Sequence, residues 1–269
     1  MGSERSPTLV GLLPAAGKGS RLWPYRYPKE LYPVALVPAP DGRGVHPHPV
    51  CQYALEAMHL AGAAQAVVVV SDEKFEMLRL LGDGAHLGLS LCYVHQREAR
   101  GLPAAIACAS PWLGTADVVM ALPDTLVLPV DALKRVHEAR RLQGRDLMLA
   151  VFPTLEPERL GPVEIGPDGA VDRIHDKPGH RQIMNTWGML AWSHAFTEFC
   201  CAWDARLTEA GTAEGVLGHA MEAARAEGMA VGAVAFEDGA FADIGTPQGL
   251  ADTVRLLVSR GMAFSGGTP

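Results

Sequence analysis

Two glycines separated by a lysine follow a short apolar run near the start of the chain. The run covers residues 8–13 and leads into Gly17-Lys18-Gly19, with Arg21 two residues further on. Glycine has no Cβ, so its backbone can approach a ligand closely and turn consecutive amides toward an anion. Lys18 and Arg21 add positive charge. The pattern favours a phosphate-binding loop, although it matches neither G-x-x-x-x-G-K-[ST] nor G-x-G-x-x-G, and a tight turn would have the same composition.

The elements that must position this loop alternate between buried strands and amphipathic helices. We predict strands at 66–70, 89–94, 117–122 and 146–152, and helices at 50–60, 74–81, 102–109 and 130–142. Such alternation implies right-handed crossovers and a mainly parallel sheet flanked by helices. The proline-rich stretch 38–49 is expected to be a loop, with His46 and His48 solvated.

The pattern becomes richer in β-structure from residue 162 onward. The turn Pro167-Asp168-Gly169 predicts a hairpin between residues 163–165 and 171–174. We also predict strands at 183–192 and 229–235, and helices at 214–227 and 247–259. No linker or internal repeat interrupts the chain. We therefore expect one domain over residues 1–269, made of a parallel-sheet half (about 8–155) and a β-rich half (about 156–262).

Composition excludes several classes of protein. The chain has 269 residues with 23 basic and 30 acidic side chains, a net charge of −7, and no long basic run, which disfavours binding to nucleic acid. The five cysteines form no C-x-x-C pair, and the pattern suits a reducing compartment. No apolar stretch approaches the roughly 20 residues of a membrane helix, and no signal peptide precedes residue 9. We expect a cytoplasmic protein without membrane or nucleic-acid partners.

The segment after the glycine loop resembles a known family. Residues 22–24 read Leu-Trp-Pro and residues 28–34 read Pro-Lys-Glu-Leu-Tyr-Pro-Val, similar to the signature of the sugar-1-phosphate nucleotidyltransferases, in particular the glucose-1-phosphate thymidylyl- and uridylyltransferases. Arg21 and Lys29 are eight positions apart, two fewer than is usual in that family. The resemblance implies a Rossmann-like, GT-A-like fold and catalytic roles for Arg21 and Lys29. It also implies nucleotide binding by Leu13, Ala15, Ala16, Gly17, Lys18, Gly19 and Ser20.

Four residues further along the chain extend the resemblance to the sites that bind the nucleotide base and the metal ion. Gln96 and Gly101 match the family's base-reading segment, and an amide side chain can both donate to and accept from a uracil or thymine edge. Asp124 follows a predicted strand, where open α/β sheets place ligands, and Asp243 lies in Asp-Ile-Gly-Thr-Pro. The resemblance implies that Asp124 also contacts nucleotide and that Asp124 and Asp243 bind Mg²⁺, a cation that prefers oxygen ligands.

The part of the chain that would bind the acceptor, the sugar phosphate, is similar to the family in its Lys177-Pro178 motif. Lys177 would contact the sugar phosphate or the α-phosphate as a catalytic cation, and Asp176 replaces the commoner glutamate that contacts sugar hydroxyls. The resemblance also places Gly161 at the substrate pocket and residues 185–188 on the next strand of that side, where Trp187 is unusual and would either close the pocket or pack in the core. Homo-oligomers are common in the family, so a homo-oligomer is one expectation, and no C-terminal β-helix is expected.

The implied reaction joins a nucleoside triphosphate, dTTP or UTP being favoured, to a sugar 1-phosphate and releases pyrophosphate. It proceeds by in-line attack on the α-phosphorus and needs no protein nucleophile. Asp176 and Trp187 leave open a cytidylyltransferase that acts on a non-sugar phosphate or a phosphonate. Pro123 stands where the family has glycine before Asp124. This change and the short Arg21–Lys29 spacing leave open a catalytically impaired nucleotide-binding regulatory protein.

Overall fold

The structure of this chain is a computed structural model that describes residues 8–17, 19, 22, 27–39 and 43–262. The strands are β1 (Leu9–Pro14), β2 (Pro33–Pro38), β3 (Val45–Pro49), β4 (Gln65–Val70), β5 (Ser90–His95), β6 (Asp117–Ala121), β7 (Thr125–Leu128), β8 (Leu147–Pro153), β9 (Val163–Ile165), β10 (Val171–Ile174), β11 (Asn185–Trp192), β12 (Val231–Ala235) and β13 (Ala240–Asp243). The helices are α1 (Val50–Leu60), α2 (Phe75–Leu81), α3 (Leu102–Leu113), α4 (Ala132–Gln143), α5 (His194–Glu209), α6 (Leu217–Ala226) and α7 (Pro247–Ser259).

Seven strands form the central sheet, in the order β12-β8-β11-β6-β1-β4-β5. All neighbours are parallel except β11, which runs antiparallel to both β6 and β8. The predicted α/β fold with a mainly parallel sheet is therefore confirmed. Strands from both predicted halves of the chain join this one sheet.

Helices cover both faces of the sheet. Leu12 packs into a cluster with residues of α3, α5 and α6, whereas its neighbour Leu13 packs into a second cluster with residues of α1, α2 and α4. Successive strand residues point to opposite faces, so both are buried. This two-sided burial explains why the strands read as continuous apolar runs rather than as alternating ones.

Three two-stranded sheets lie outside the central one: β2 with β3, β9 with β10, and β7 with β13. The β9–β10 pair is the predicted hairpin. The β2–β3 pair corrects the prediction of a loop over 38–49, because these residues include the whole of β3 and the last residue of its antiparallel partner β2. His48 is buried, at 5% exposure, and its ring packs edge-on against Tyr53, so the prediction that it is solvated was wrong.

Other elements also differ from the prediction, since no strand was predicted for β7 or β13. The 16-residue helix α5 was not predicted, and α3 extends four residues beyond the expected end at 109. None of the helices in the described ranges has the length and apolar composition needed to cross a bilayer.

Candidate active site

A cleft of about 620 Å³ opens where the parallel strands of the central sheet end. Residues just after β1, β5 and β6 line it, as expected for an open α/β sheet. The cleft brings together most of the predicted site residues that the structure describes: Ala16, Gly17, Gly19, Lys29, Gln96, Gly101, Asp124, Asp176, Lys177, Trp187 and Asp243.

The other six predicted residues do not line the cleft or lie outside the described residues, and one of them, Gly161, packs behind the Trp187 indole of the cleft wall. Leu13 and Ala15 are buried in the core beneath the loop, and the Ala15 amide donates to the Val69 carbonyl at 2.7 Å. Lys18, Ser20 and Arg21 lie outside the residues that the structure describes. The roles predicted for these six residues stay predictions.

Lys29 connects the glycine loop to the first aspartate. It begins a short 3-10 helix, Lys29–Leu31, and its alkyl chain passes 3.7 Å from the position of a Cβ built on Gly19. Its ammonium group donates a hydrogen bond to Asp124 Oδ2. Burial acts to lower the pKa of Lys29, but the carboxylates of Asp124, Glu30 and Asp243 outweigh burial and hold the pKa above its usual value. Lys29 therefore stays charged at neutral pH.

The antiparallel pairing of β7 with β13 brings the two predicted metal ligands together. Asp243 pairs with Thr125, the residue after Asp124, and the Ile244 amide donates to the Asp124 carbonyl at 3.0 Å. The Asp243 carboxylate accepts from the Gly245 amide at 2.6 Å. The N-cap of α7 is Thr246, whose hydroxyl accepts from Gly249, so Asp243 is not the helix cap.

These two carboxylates could hold a hard divalent cation. Among the described residues no cluster of three or more histidine, cysteine, aspartate or glutamate side chains could do so. Two carboxylates facing a cleft fit Mg²⁺, which usually takes one or two protein carboxylates and completes its shell with water and substrate phosphates. The donor set therefore suits magnesium and does not suit zinc, which prefers nitrogen and sulfur ligands.

The predicted base-reading segment joins the two sides of the cleft. Gln96 follows β5, and its mostly buried side chain lines the cleft. Gly101 has φ +89°, and a Cβ built on it would lie 2.0 Å from the Gly215 carbonyl oxygen. Only glycine fits at this contact. The Arg100 guanidinium donates to Asp204 of α5 at 2.8 Å, while the Arg100 carbonyl accepts from the Gly215 amide.

The acceptor side contains Lys177, Asp176 and an indole wall. Lys177 is a non-glycine residue with positive φ, +44°, and its amide donates to the Leu160 carbonyl at 2.8 Å. Such backbone conformations are strained and concentrate at functional sites. Gly161 packs against the Trp187 indole so closely that a Cβ would lie 2.2 Å from Nε1. Asp176 lies beside Gly218 at the start of α6, 4.0 Å from His219.

Sequence reasoning missed the segment 214–218, which lines the cleft between the base-reading and acceptor residues. The signal was the glycine pair Gly215 and Gly218, because the first contacts Gly101 and the second contacts Asp176. It also missed Glu30, a buried residue at the cleft wall. Its importance depends on a distant partner, Lys74, that no local pattern indicates.

The sequence model of the family described as "Nucleotidyl transferase" matches residues 10–259. Among curated proteins, the chain is 33% identical over 176 residues to a glucose-1-phosphate thymidylyltransferase from Streptomyces griseus, covering 64% of this chain and 45% of that protein. It is 34% identical over 174 residues to one from Streptomyces antibioticus, covering 64% and 46%. The chain thus matches about half the length of these relatives.

Solved structures share the fold. A candidate glucose-1-phosphate thymidylyltransferase from Bacillus anthracis, crystallised with sucrose, superposes with a TM-score of 0.80 at 19% identity and covers 97% of this chain and 98% of its own. A UDP-glucose pyrophosphorylase complexed with UDP-glucose superposes with a TM-score of 0.74 at 20% identity, covering 94% and 99%. At these identities the likeness concerns the fold alone.

Proposed function

The chain belongs to the nucleotidyl transferase family, and from that premise we propose that it transfers a nucleotidyl group from a nucleoside triphosphate to a sugar 1-phosphate. A phosphate oxygen of the sugar phosphate attacks the α-phosphorus, a new P–O bond forms, and the bond to the β-phosphate breaks to release pyrophosphate. The names of the curated relatives favour dTTP and glucose 1-phosphate.

The observation that carries this proposal is the arrangement of opposite charges around one cleft. Lys29 and Lys177 line it together with Asp124 and Asp243. Both substrates are polyanions, and one pair of unit charges at about 4 Å is worth about 4 kcal/mol at an effective dielectric constant near 20. Bringing the substrates together therefore requires fixed cations, and the two lysines are placed to supply them.

Each residue has a defined task in this mechanism. We assign Lys29 to the phosphates that leave as pyrophosphate, because it lies over the glycine loop, and Lys177 to the acceptor phosphate, because it lies beside Asp176 and Leu160. Asp124 and Asp243 would hold Mg²⁺, which when bound supplies further positive charge to the phosphate oxygens. No side chain forms a covalent bond, so positioning and charge stabilisation provide the rate enhancement.

Base and acceptor preference are assigned to opposite walls of the cleft. The Gln96 amide can pair with the donor and acceptor groups of thymine or uracil, which supports dTTP or UTP as the nucleotide. Asp176 can accept hydrogen bonds from sugar hydroxyls, and the Trp187 indole can pack on the face of a sugar ring. We therefore favour a hexose 1-phosphate as the acceptor.

A screen for pyrophosphate release tests the proposal. The purified protein, with Mg²⁺, is incubated with each combination of dTTP, UTP, CTP, ATP or GTP and a panel of hexose 1-phosphates, phosphocholine and a phosphonate. We expect release with dTTP or UTP and a hexose 1-phosphate. The double variant Asp124→Ala plus Asp243→Ala should be inactive, whereas Asp238→Ala, which removes an exposed carboxylate before β13, should be active.

The other outcomes are informative. Turnover with CTP and phosphocholine or a phosphonate alone would reassign the acceptor class. Nucleotide binding by calorimetry without release from any combination would replace the enzyme by a nucleotide-binding regulatory protein. Full activity in the double aspartate variant would refute the assignment of the metal ligands.

A further inference from the structure

A buried ion pair lies directly behind Lys29. Lys74 Nζ donates to Glu30 Oε2 at 2.7 Å, and the two residues are 3% and 1% exposed. Transfer of two charges out of water is costly, and a buried ion pair is weak evidence for a stabilising role because well-packed apolar residues often serve as well. A buried pair next to a candidate catalytic lysine therefore calls for a functional explanation.

The pair connects the lysine turn to the central sheet. Glu30 and Leu31 are the second and third residues of the 3-10 helix that Lys29 begins. Leu31 is packed in the core, and Glu30 is held by Lys74, the last residue of a short 3-10 helix, Asp72–Lys74, that follows β4. Because β4 is the parallel neighbour of β1, Lys74 is anchored at the same end of the sheet as the glycine loop.

We propose that Lys74 and Glu30 are positioning residues that hold the Lys29 ammonium group over the glycine loop and beside Asp124. This inference rests on the proposed function. With Glu30 and Leu31 both fixed, the turn cannot rotate, and the Lys29 side chain keeps its path past Gly19 to Asp124. Lys74 does not line the cleft, so it acts only through Glu30.

The charges fit the same role. Burial is the largest influence on the Glu30 carboxyl and raises its pKa above the usual value, while the ammonium group of Lys74 acts in the opposite direction. The hydrogen bond from Lys74 therefore both offsets the burial of Glu30 and fixes the turn that carries Lys29.

The chain offers a matched control in a second buried ion pair. The Arg140 guanidinium of α4 donates to the Asp117 carboxylate at the start of β6, and both side chains are less than a tenth exposed. Asp117 lies at the amino end of β6, whereas the cleft lies beyond the carboxyl end. Loss of this pair should lower stability without touching the site.

The test compares two double variants, Glu30→Gln plus Lys74→Met and Asp117→Asn plus Arg140→Met, in melting temperature and pyrophosphate release well below the melting temperature. We expect both to melt at lower temperature. Only the first should lose kcat, by about tenfold or more, with the nucleotide KM changed much less, because a displaced Lys29 costs more in the transition state than in the bound state. Should the double variant not fold, Glu30→Gln plus Lys74→Gln removes both charges together and leaves no buried charge unpaired.

A second measurement does not depend on turnover. The chain contains only five lysines, so protein labelled with ¹³C-lysine gives a simple NMR spectrum, in which Lys29 is assigned by the signal missing from Lys29→Arg. The Lys29 signal should move in the Glu30 and Lys74 variant and not in the control. Equal kcat in both double variants together with an unmoved Lys29 signal would overturn the inference. An inactive wild-type protein whose Lys29 signal still moves would instead refute the proposed function.

Discussion

Replacing Gly101 by alanine tests the contact that joins the base-reading segment to the acceptor side. Gly101 precedes α3 with φ +89° and ψ −178°, a backbone region that is open essentially only to glycine. An added Cβ would lie 2.0 Å from the Gly215 carbonyl oxygen and 3.0 Å from its carbonyl carbon. The substitution therefore combines a backbone penalty with a steric clash.

The two contributions can be given magnitudes. The backbone conformation costs a non-glycine residue about 1–3 kcal/mol. The clash requires the Gly215 carbonyl to retreat by about 1 Å before the Cβ contact reaches 3.0 Å. Gly215 is buried and its amide donates to the Arg100 carbonyl, so the retreat also strains a hydrogen bond worth about 1 kcal/mol. Val216 and Leu217, which line the cleft, would move with it.

The matched control is Gly114→Ala at the other end of α3. Gly114 also has positive φ, +53°, but nothing lies within 4 Å of its Cβ position. The free energy of unfolding of Gly114→Ala should fall only by the backbone contribution, and this variant should retain its activity. The free energy of unfolding of Gly101→Ala, measured in urea, should fall by about 1 kcal/mol more than that of Gly114→Ala. Gly101→Ala should also lose about 100-fold in kcat/KM for pyrophosphate release, the order of loss that a 1 Å misplacement causes.

The comparison has a clear negative result. If Gly101→Ala and Gly114→Ala lost the same stability and Gly101→Ala kept its kcat/KM, the contact with Gly215 would not position the cleft. A loss of stability in Gly101→Ala without a loss of activity would mean that the clash is relieved away from the cleft wall.

Three further predictions concern single residues. Lys177→Gly should be more stable than Lys177→Ala in urea by up to about 1 kcal/mol, because the backbone has positive φ, while both lose activity; equal stability would argue against strain there. Chelation of Mg²⁺ should abolish pyrophosphate release, and Asp243→Asn should raise the Mg²⁺ concentration needed for half-maximal rate about tenfold or more; an unchanged requirement would exclude Asp243 as a ligand. Burial raises the pKa of Glu222, but hydrogen bonds from Arg225 and the Ile174 amide outweigh it and lower the pKa. Wild type should therefore be more stable than Glu222→Gln at pH 7, and the difference should shrink as the pH falls below the ordinary value of 4.5 and be lost once the pH has passed the lowered pKa of the folded state; a difference that stays constant in acid would contradict this reasoning.

The central sheet could be predicted because its strands are buried on both faces. A run such as β4 is apolar and β-branched over most of its length, and a short run of that composition is typical of a strand covered on both sides. The β2–β3 hairpin could not be predicted, since prolines at residues 33, 38, 47 and 49 read as strand breakers. They are tolerated because this pair is a separate two-stranded sheet, where a missing amide donor can face away from the partner strand.

Helix α5 was missed for a different reason. Its buried residues Phe196, Cys200 and Asp204 recur every four positions, but a buried aspartate does not read as part of an apolar face. Asp204 is buried because it accepts from Arg100, a residue 104 positions earlier in the chain. The same holds for Glu30 and Lys74. The fold brings together two charged residues that are far apart in the chain, so the sequence around either one does not indicate its partner.

The two walls of the cleft are attached to the central sheet in different ways. Gly17 and Gln96 follow β1 and β5, strands of the seven-stranded sheet, whereas Lys177 follows β10, part of a short two-stranded sheet. That small sheet is joined to the rest by a bridge between Ala170 and Gly232, by hydrogen bonds between the Asn185 side chain and the Val163 backbone, and by the burial of Val171 and Ile174 in the core. Side-chain contacts and one bridge, rather than a continuous ladder of backbone hydrogen bonds, therefore set its position. Under the proposed function, we expect changes of acceptor preference to arise from substitutions in the β9–β10 hairpin rather than from substitutions beside β1, where a change would disturb the central sheet.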